Sequence, residues 1–122
     1  MKTTMRTIVL AIPALSKLSA GDLSLRLAYR LKRSIDTIQK EADFFSQQRI
    51  KILDKYGTPS KSGDYTFAEG QEEKAIAELD ELLELEVTLD IPVMEIPITE
   101  ELRLSVKDLE AMSPFVEFKE EE

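Results

Sequence analysis

The amino-acid sequence predicts an α+β protein, in which one long amphipathic helix and one or two shorter helices pack on a small, largely antiparallel sheet. Residues 23–56 carry apolar side chains spaced alternately by three and four, which is typical of a helix. Residues 71–84 repeat this spacing over a shorter length. Residues 86–98 instead alternate apolar side chains with others, which is typical of strands.

The stretch Leu23–Tyr56 is predicted to be one helix around which the rest of the chain is organised. Ser19 and Asp22 have the spacing of a capping box just before it, and Gly57 follows it as a candidate left-handed terminator. The apolar stripe consists of Ala28, Leu31, Ile35, Ile38, Ala42, Phe45, Ile52 and Tyr56.

The length of this helix leaves its role open. A helix of 34 residues extends about 50 Å, whereas a compact chain of 122 residues is roughly 35 Å across. The helix therefore bends near Phe44–Ser46, protrudes to hold a partner, or packs against a second copy. Flanking pairs such as Leu27–Lys32 lack the opposite charges that fix a parallel coiled coil. A core helix and a helix that also builds an oligomer or partner interface both stay open.

The N-terminal segment Thr4–Ile12 is predicted to be a buried strand, because it contains the short β-rich run Ile8-Val9-Leu10. Pro13 is expected to end this strand, and Ala14–Leu18 to form a short helical turn before the long helix.

Residues 58–63 are rich in turn formers and are expected to form a loop. Asp64–Phe67 is predicted to be a short strand with Tyr65 and Phe67 on one face. The helix Gln71–Glu84 follows, and it is strongly acidic outside its apolar face. That face consists of Ala75, Ile76, Leu79, Leu82 and Leu83.

The main β segment is Glu86–Ile98, in which the alternation changes parity at Val93–Met94. This change predicts a bulge or a tight turn at that position. Pro92 and Pro97 cannot donate to a strand ladder, so part of the segment is expected at a sheet edge, where another chain can dock.

The C-terminal part is predicted to hold one more short helix and a closing strand. Ser105 and Asp108 have capping-box spacing, Pro114 is expected to end the helix, and Phe115–Phe118 is the candidate strand. Residues 1–118 are then one domain, and residues 119–122 are an acidic tail.

The charge is distributed unevenly. Residues 1–62 carry 12 Lys/Arg and 5 Asp/Glu, a balance of +7, whereas residues 63–122 carry 4 and 19, a balance of −15. Either the two halves neutralise each other, or the acidic half is a surface for a basic partner. The candidate partner-binding residues are Glu73, Asp80 and Glu84 on the acidic helix and Arg26, Arg30 and Arg33 on the basic outer ridge of the long helix.

The composition speaks against most enzyme chemistry. Cysteine, histidine and tryptophan are absent, so there is no thiolate and no imidazole for nucleophilic, general-base or transition-metal chemistry. No calcium-loop motif is present, and the many carboxylates are expected to form a solvated face. We therefore expect no enzyme activity, no cofactor and no metal site. No apolar run approaches the roughly 20 residues that span a bilayer, so we expect no membrane partner.

One resemblance concerns residues 45–118. The succession of Lys55-Tyr56-Gly57, Asp64-Tyr65-Thr66-Phe67, an acidic helix, Val87-Thr88-Leu89-Asp90-Ile91 and the segment from Leu104 to Phe115 resembles small proteins of unknown function from tailed bacteriophages and prophages. The resemblance implies a location in the bacterial cytoplasm or in a virion, and supplies no catalytic residues.

Two functional hypotheses follow. The first is a non-enzymatic phage-type accessory protein that regulates or inhibits a host or phage factor by binding it through the acidic surface. A basic or nucleic-acid-binding protein suits that surface, whereas nucleic acid itself is repelled by it. The second is a virion or assembly component that acts through self-association as a homo-oligomer.

Overall fold

The computed structural model describes residues 1–100 and 102–120, and it confirms the α+β class. Helices and strands alternate irregularly along the chain. The helices are α1 (Met5–Ser19), α2 (Leu25–Tyr56), α3 (Gln71–Leu83) and α4 (Val106–Met112). The strands are β1 (Lys2–Thr4), β2 (Gly57–Pro59), β3 (Tyr65–Phe67), β4 (Glu86–Thr88), β5 (Met94–Pro97) and β6 (Val116–Lys119).

The strands form three separate two-stranded sheets in the described part of the chain, rather than the single small sheet that the sequence predicts. β1 pairs antiparallel with β4, and β2 pairs antiparallel with β3 across a hairpin. β5 and β6 run parallel, with Met94 opposite Val116. Antiparallel pairing thus prevails, and each strand keeps one edge that no described strand covers.

The predicted strand Thr4–Ile12 is wrong, because the chain turns into helix α1 directly after Thr4. The Thr4 hydroxyl caps the helix by accepting a hydrogen bond from the Thr7 N–H at 3.3 Å. Pro13 lies inside the helix on its exposed side, and therefore does not end the element. The buried side chains follow the helical spacing and are Met5, Ile8, Ala11, Ala14, Leu15 and Leu18.

Helix α2 confirms the predicted long helix and ends at Tyr56 as predicted, although it begins at Leu25 and both of its caps differ from the prediction. Ser19 belongs to α1, and the cap of α2 is Ser24, whose hydroxyl accepts from the Leu27 N–H at 3.4 Å. Gly57 is extended (φ −130°, ψ 176°) and begins β2 instead of adopting a left-handed conformation. A Cβ at this position would lie 2.7 Å from a ring carbon of Phe67, so any other residue here would force the ring or the hairpin to shift.

The centre of the core is α1 rather than α2. α1 packs against both α2 and α4, and its buried face joins a single cluster with Leu31 and Ile38 of α2. Val87 and Leu89 belong to the same cluster, whereas Ile35 and Phe45 of the predicted apolar stripe are only partly buried against it. The long helix is thus one wall of a core that the N-terminal helix fills.

The predicted β segment Glu86–Ile98 divides between two sheets. β4 ends at Thr88 and β5 begins at Met94, so the change of parity at Val93–Met94 marks the start of a strand in another sheet and not a bulge. Residues 89–93 connect the two strands without regular structure, and residues 90–93 line a groove beside α2.

The C-terminal predictions are largely confirmed. Ser105 and Asp108 form both hydrogen bonds of a capping box, each at 3.0 Å, and α4 ends at Met112. β6 begins one residue later than predicted and includes Lys119, the first residue of the predicted tail. The Lys119 amino group lies 2.8 Å from a Glu95 carboxylate oxygen. Glu121 and Glu122 lie outside the described residues.

Candidate interaction surfaces

The basic and acidic halves of the chain neutralise each other in part. Of the six ion pairs found among the described residues, four join the first half to the second. These four are Lys2–Glu86, Arg6–Glu84, Lys17–Asp108 and Lys55–Glu78. Glu84, a predicted partner-binding residue, is therefore already engaged by Arg6, at 3.1 Å.

Helix α3 is anchored on the C-terminal end of α2. The Lys55 amino group and the Tyr56 hydroxyl donate hydrogen bonds to one oxygen of Glu78, at 2.9 Å and 2.8 Å. These bonds, the one from Lys55 first, lower the pKa of the Glu78 carboxyl below its ordinary value. On the inner side of α3, Ala75 and Leu82 are buried. The opposite side of the helix is left open to solvent.

That open side is an acidic face with an apolar centre. We define the acidic face of α3 as Glu72, Glu73, Ile76 and Asp80, all of which are exposed. The carboxylates lie three or four residues from Ile76, so they surround it on one helix surface. Ile76 is 50% exposed, and none of these carboxylates forms an ion pair with the described residues.

The predicted basic residues lie elsewhere. Arg26, Arg30 and Arg33 are exposed near the N-terminal end of α2, and no described carboxylate lies within ion-pair distance of them. The 22 residues from Arg33 to Lys55 correspond to about 33 Å along the helix. The structure therefore separates the predicted partner-binding residues into two surfaces, one acidic and one basic.

Two of the three arginines line a groove that the sequence does not reveal. The groove has a volume of about 650 Å³ and lies between α2 and the segment 90–95, while Arg26 is outside it. Its helix wall consists of Leu27, Arg30, Arg33, Ser34 and Thr37. Its second wall is Asp90 to Glu95, which includes the exposed Val93 and the first residues of β5. The walls meet only in the folded chain, so residue spacing carries no signal for the groove.

Only some of the polar side chains that line the groove form hydrogen bonds or ion pairs. Glu95 pairs with Lys119, and the Thr37 hydroxyl donates to the Arg33 carbonyl at 3.2 Å. Ser34 is only 8% exposed, yet its hydroxyl has no hydrogen-bond partner among the described residues. Among the described residues only the Thr99 hydroxyl is both fully buried and without a partner, so the Ser34 oxygen reaches solvent and is accessible to a group that enters the groove.

The structure does not place acidic side chains in a metal-binding arrangement: residues 1–100 and 102–120 contain no group of three or more candidate ligands that could hold an ion. Within the same residues, no helix is long and apolar enough to cross a membrane. No protein-family model, curated protein or solved structure matches the chain.

Proposed function

We propose that this chain is a non-enzymatic protein-binding module that engages a basic partner through the acidic face of α3. The observation that carries the proposal is the half-exposed Ile76 at the centre of three carboxylates without ion pairs to the described residues. Following the phage resemblance, the partner is a host or phage factor that the chain regulates or inhibits. The bacterial cytoplasm is then where binding takes place.

The chemistry of this face favours an amphipathic basic helix as its ligand. Apolar side chains at the centre of an interface supply most of the binding energy, while charges at the rim accelerate encounter and select the partner. Ile76 suits the central role, and Glu72, Glu73 and Asp80 suit the rim. The face repels nucleic acid, because phosphates meet its carboxylates directly.

The pairing of Glu84 with Arg6 changes the predicted set of binding residues. A carboxylate that is already paired adds less to the field that a partner meets than an unpaired one. Glu72 is exposed on the same side of α3 as Glu73 and Asp80. It therefore takes the place of Glu84 in the proposed surface.

The test uses a fluorescent synthetic helix that carries leucine on one face and lysine on the other, measured by stopped-flow and equilibrium anisotropy at two salt concentrations. We expect Glu73→Gln with Asp80→Asn to slow association and to flatten its salt dependence. Ile76→Ser is expected to weaken binding by roughly tenfold, chiefly through faster dissociation.

The matched control removes two carboxylates elsewhere, with Glu110→Gln and Glu117→Gln, which are exposed on α4 and β6. The proposal fails if this control slows association as much as the pair on α3 does, because the effect then comes from net charge. It also fails if Ile76→Ser binds the helix as the parent does.

A second candidate, an assembly component that acts through self-association, has one observation in its favour. The acidic face of α3 and the basic residues of α2 lie too far apart to pair within one chain, but they are complementary between copies. Such a head-to-tail contact builds rings or filaments rather than a two-fold dimer. Light scattering over a dilution series decides it, since a salt-sensitive rise in mass supports assembly and a monomer at all concentrations excludes it.

A further inference from the structure

We propose that the groove between α2 and residues 90–95 binds an extended acidic peptide segment, which adds to the free edge of β5 while its carboxylates pair with Arg30 and Arg33. This site lies on a different surface from the acidic face of α3 and takes a ligand of opposite charge. It therefore stands or falls independently of the proposed function.

The backbone of β5 offers hydrogen bonds toward this ligand. The Met94 N–H donates to the Phe115 carbonyl at 2.9 Å, and the Ile98 N–H donates to the Lys119 carbonyl at 2.8 Å. Strand residues bond alternately to either side, so the N–H and C=O of Glu95 face away from β6. Glu95 lines the groove together with residues 90–94, so we place its free N–H and C=O at this wall.

Six residues, 90–95, form this wall, so a peptide of about the same number of residues covers it. Only Met94 and Glu95 of the six belong to β5, whereas residues 90–93 have no regular structure. Addition of an extended peptide to a free strand edge is a common mode of recognition, in which main-chain hydrogen bonds supply affinity and side-chain sites supply specificity.

The opposite wall selects for negative charge. Arg30 and Arg33 lie three residues apart, so their side chains emerge on adjacent positions of the helix surface. Guanidinium groups bind carboxylates through paired, charge-assisted hydrogen bonds. Of the described acidic residues that line the groove, Glu95 is held by Lys119, which leaves Asp90 as the carboxylate without an ion pair. The two arginines therefore give the groove a net positive charge.

Ser34 adds a hydroxyl to the groove beside the two arginines. Its side chain is more than nine-tenths buried and lines the groove, and its hydroxyl has no hydrogen-bond partner among the described residues. A carboxylate or a peptide carbonyl that enters between the arginines accepts a hydrogen bond from this hydroxyl. This bond would replace one that the hydroxyl makes to water in the free protein.

The experiment measures binding of a fluorescein-labelled peptide of alternating glutamate and valine, about six residues long with both ends blocked. The same peptide with glutamine in place of glutamate is the charge control. We expect the acidic peptide alone to bind the parent. Arg30→Gln with Arg33→Gln should weaken it at least about tenfold, as is typical for lost hydrogen bonds between charged groups. Arg49→Gln, also exposed on α2 but outside the groove, should have little effect.

A second pair of variants tests the strand edge. Glu95→Pro removes the N–H that faces away from β6 and leaves the two β5–β6 bonds given above intact. Glu95→Gln removes the same carboxylate and keeps the N–H. We expect Glu95→Gln to bind the acidic peptide as the parent does, and Glu95→Pro to bind it at least about tenfold more weakly, if edge hydrogen bonds carry the affinity.

Several results overturn the proposal. These are absence of binding, equal binding of the glutamine peptide, parent-like binding by the double arginine variant, and an equally large loss for Arg49→Gln. If Glu95→Pro and Glu95→Gln bind alike, the ligand does not use the edge. If a single-stranded oligonucleotide of the same charge competes as strongly as the peptide, the groove recognises phosphate instead. The arginine variants change exposed residues only, so they decide the question even if Glu95→Pro does not fold.

Discussion

Replacing Ile8 by alanine tests the placement of α1 at the centre of the core, especially when the result is compared with that of Leu10→Ala. Ile8 is 0% exposed, whereas Leu10 is 63% exposed on the same helix. Two residues along a helix are about 200° apart, so these side chains lie on opposite sides of α1. In the strand that the sequence predicts, the same two side chains would share one face.

The expected losses of stability follow from how deeply each side chain is buried. Truncation of a fully buried isoleucine to alanine costs about 2–5 kcal/mol, because it combines lost transfer free energy with a residual cavity. A chain of 122 residues has a total stability of roughly 6–18 kcal/mol, so the loss is a large part of it. Leu10→Ala removes side-chain surface that is mostly in water and should change the free energy of unfolding by only about 0.5 kcal/mol.

The assay is urea denaturation followed by far-ultraviolet circular dichroism, with linear extrapolation to water. A shift of the midpoint at constant slope reports the loss of stability. Equal costs for the two replacements would refute the helical placement and would restore the strand prediction. A small cost at Ile8 alone would mean that α1 is not the centre of the core.

Three further predictions concern local contacts. Gly57→Ala should destabilise the protein by about 1–3 kcal/mol in the same assay, because the added Cβ meets the Phe67 ring; an unchanged midpoint would show that the hairpin moves freely away from α2. Ser105→Ala should cost about 1 kcal/mol through loss of the α4 cap, and a cost no larger than that of Ser46→Ala, an exposed control on α2, would contradict the capping role. The pKa of the Glu78 carboxyl is lowered by Lys55 and Tyr56. The contribution of this carboxylate to the free energy of unfolding is therefore complete above the pKa of the unfolded state and is lost as pH falls through the pKa of the folded state. Glu78→Gln should therefore weaken the acid dependence of the denaturation midpoint below about pH 5, and an identical profile would refute this linkage.

The sequence predicts elements whose signals are local. The stripe of α2, the acidic helix α3 and the capping box of Ser105 with Asp108 are readable from residues within a few positions of one another, and the structure has all three. α1 is missed because Ile8-Val9-Leu10 is too short a run to separate strand from helix, and because Pro13 imitates a boundary. The apolar residues keep helical spacing as far as Leu18, and this is the signal that identifies the segment as a helix.

The candidate surfaces are predictable only in part. Charge composition identifies Glu73 and Asp80 of the acidic face of α3 and the arginines of α2, but not which charges are already paired. The prediction that Ile76 lies on the apolar face is wrong, because this side chain is half exposed at the edge of that face. Arg6 and Glu84 are 78 residues apart and meet only in the fold. The groove depends equally on tertiary structure, because Ser34 resembles any polar helix residue until the segment 90–95 packs beside it. Long-range pairing therefore sets the limit of what composition and spacing predict.

The pairing of the N-terminal segment with distant parts of the chain has a consequence for folding in the cell. Lys2 pairs with Thr88 across the β1–β4 sheet, and Lys17 of α1 reaches Asp108 of α4, 91 residues away. Contacts of such sequence separation slow folding. At typical ribosomal rates, the 93 residues between the end of α1 and the end of α4 take about 5–20 s to synthesise. During that interval the apolar side of α1 is exposed, because α4, which packs against it, has not yet been synthesised. We therefore expect the nascent chain to bind ribosome-associated chaperones and to aggregate when they are scarce.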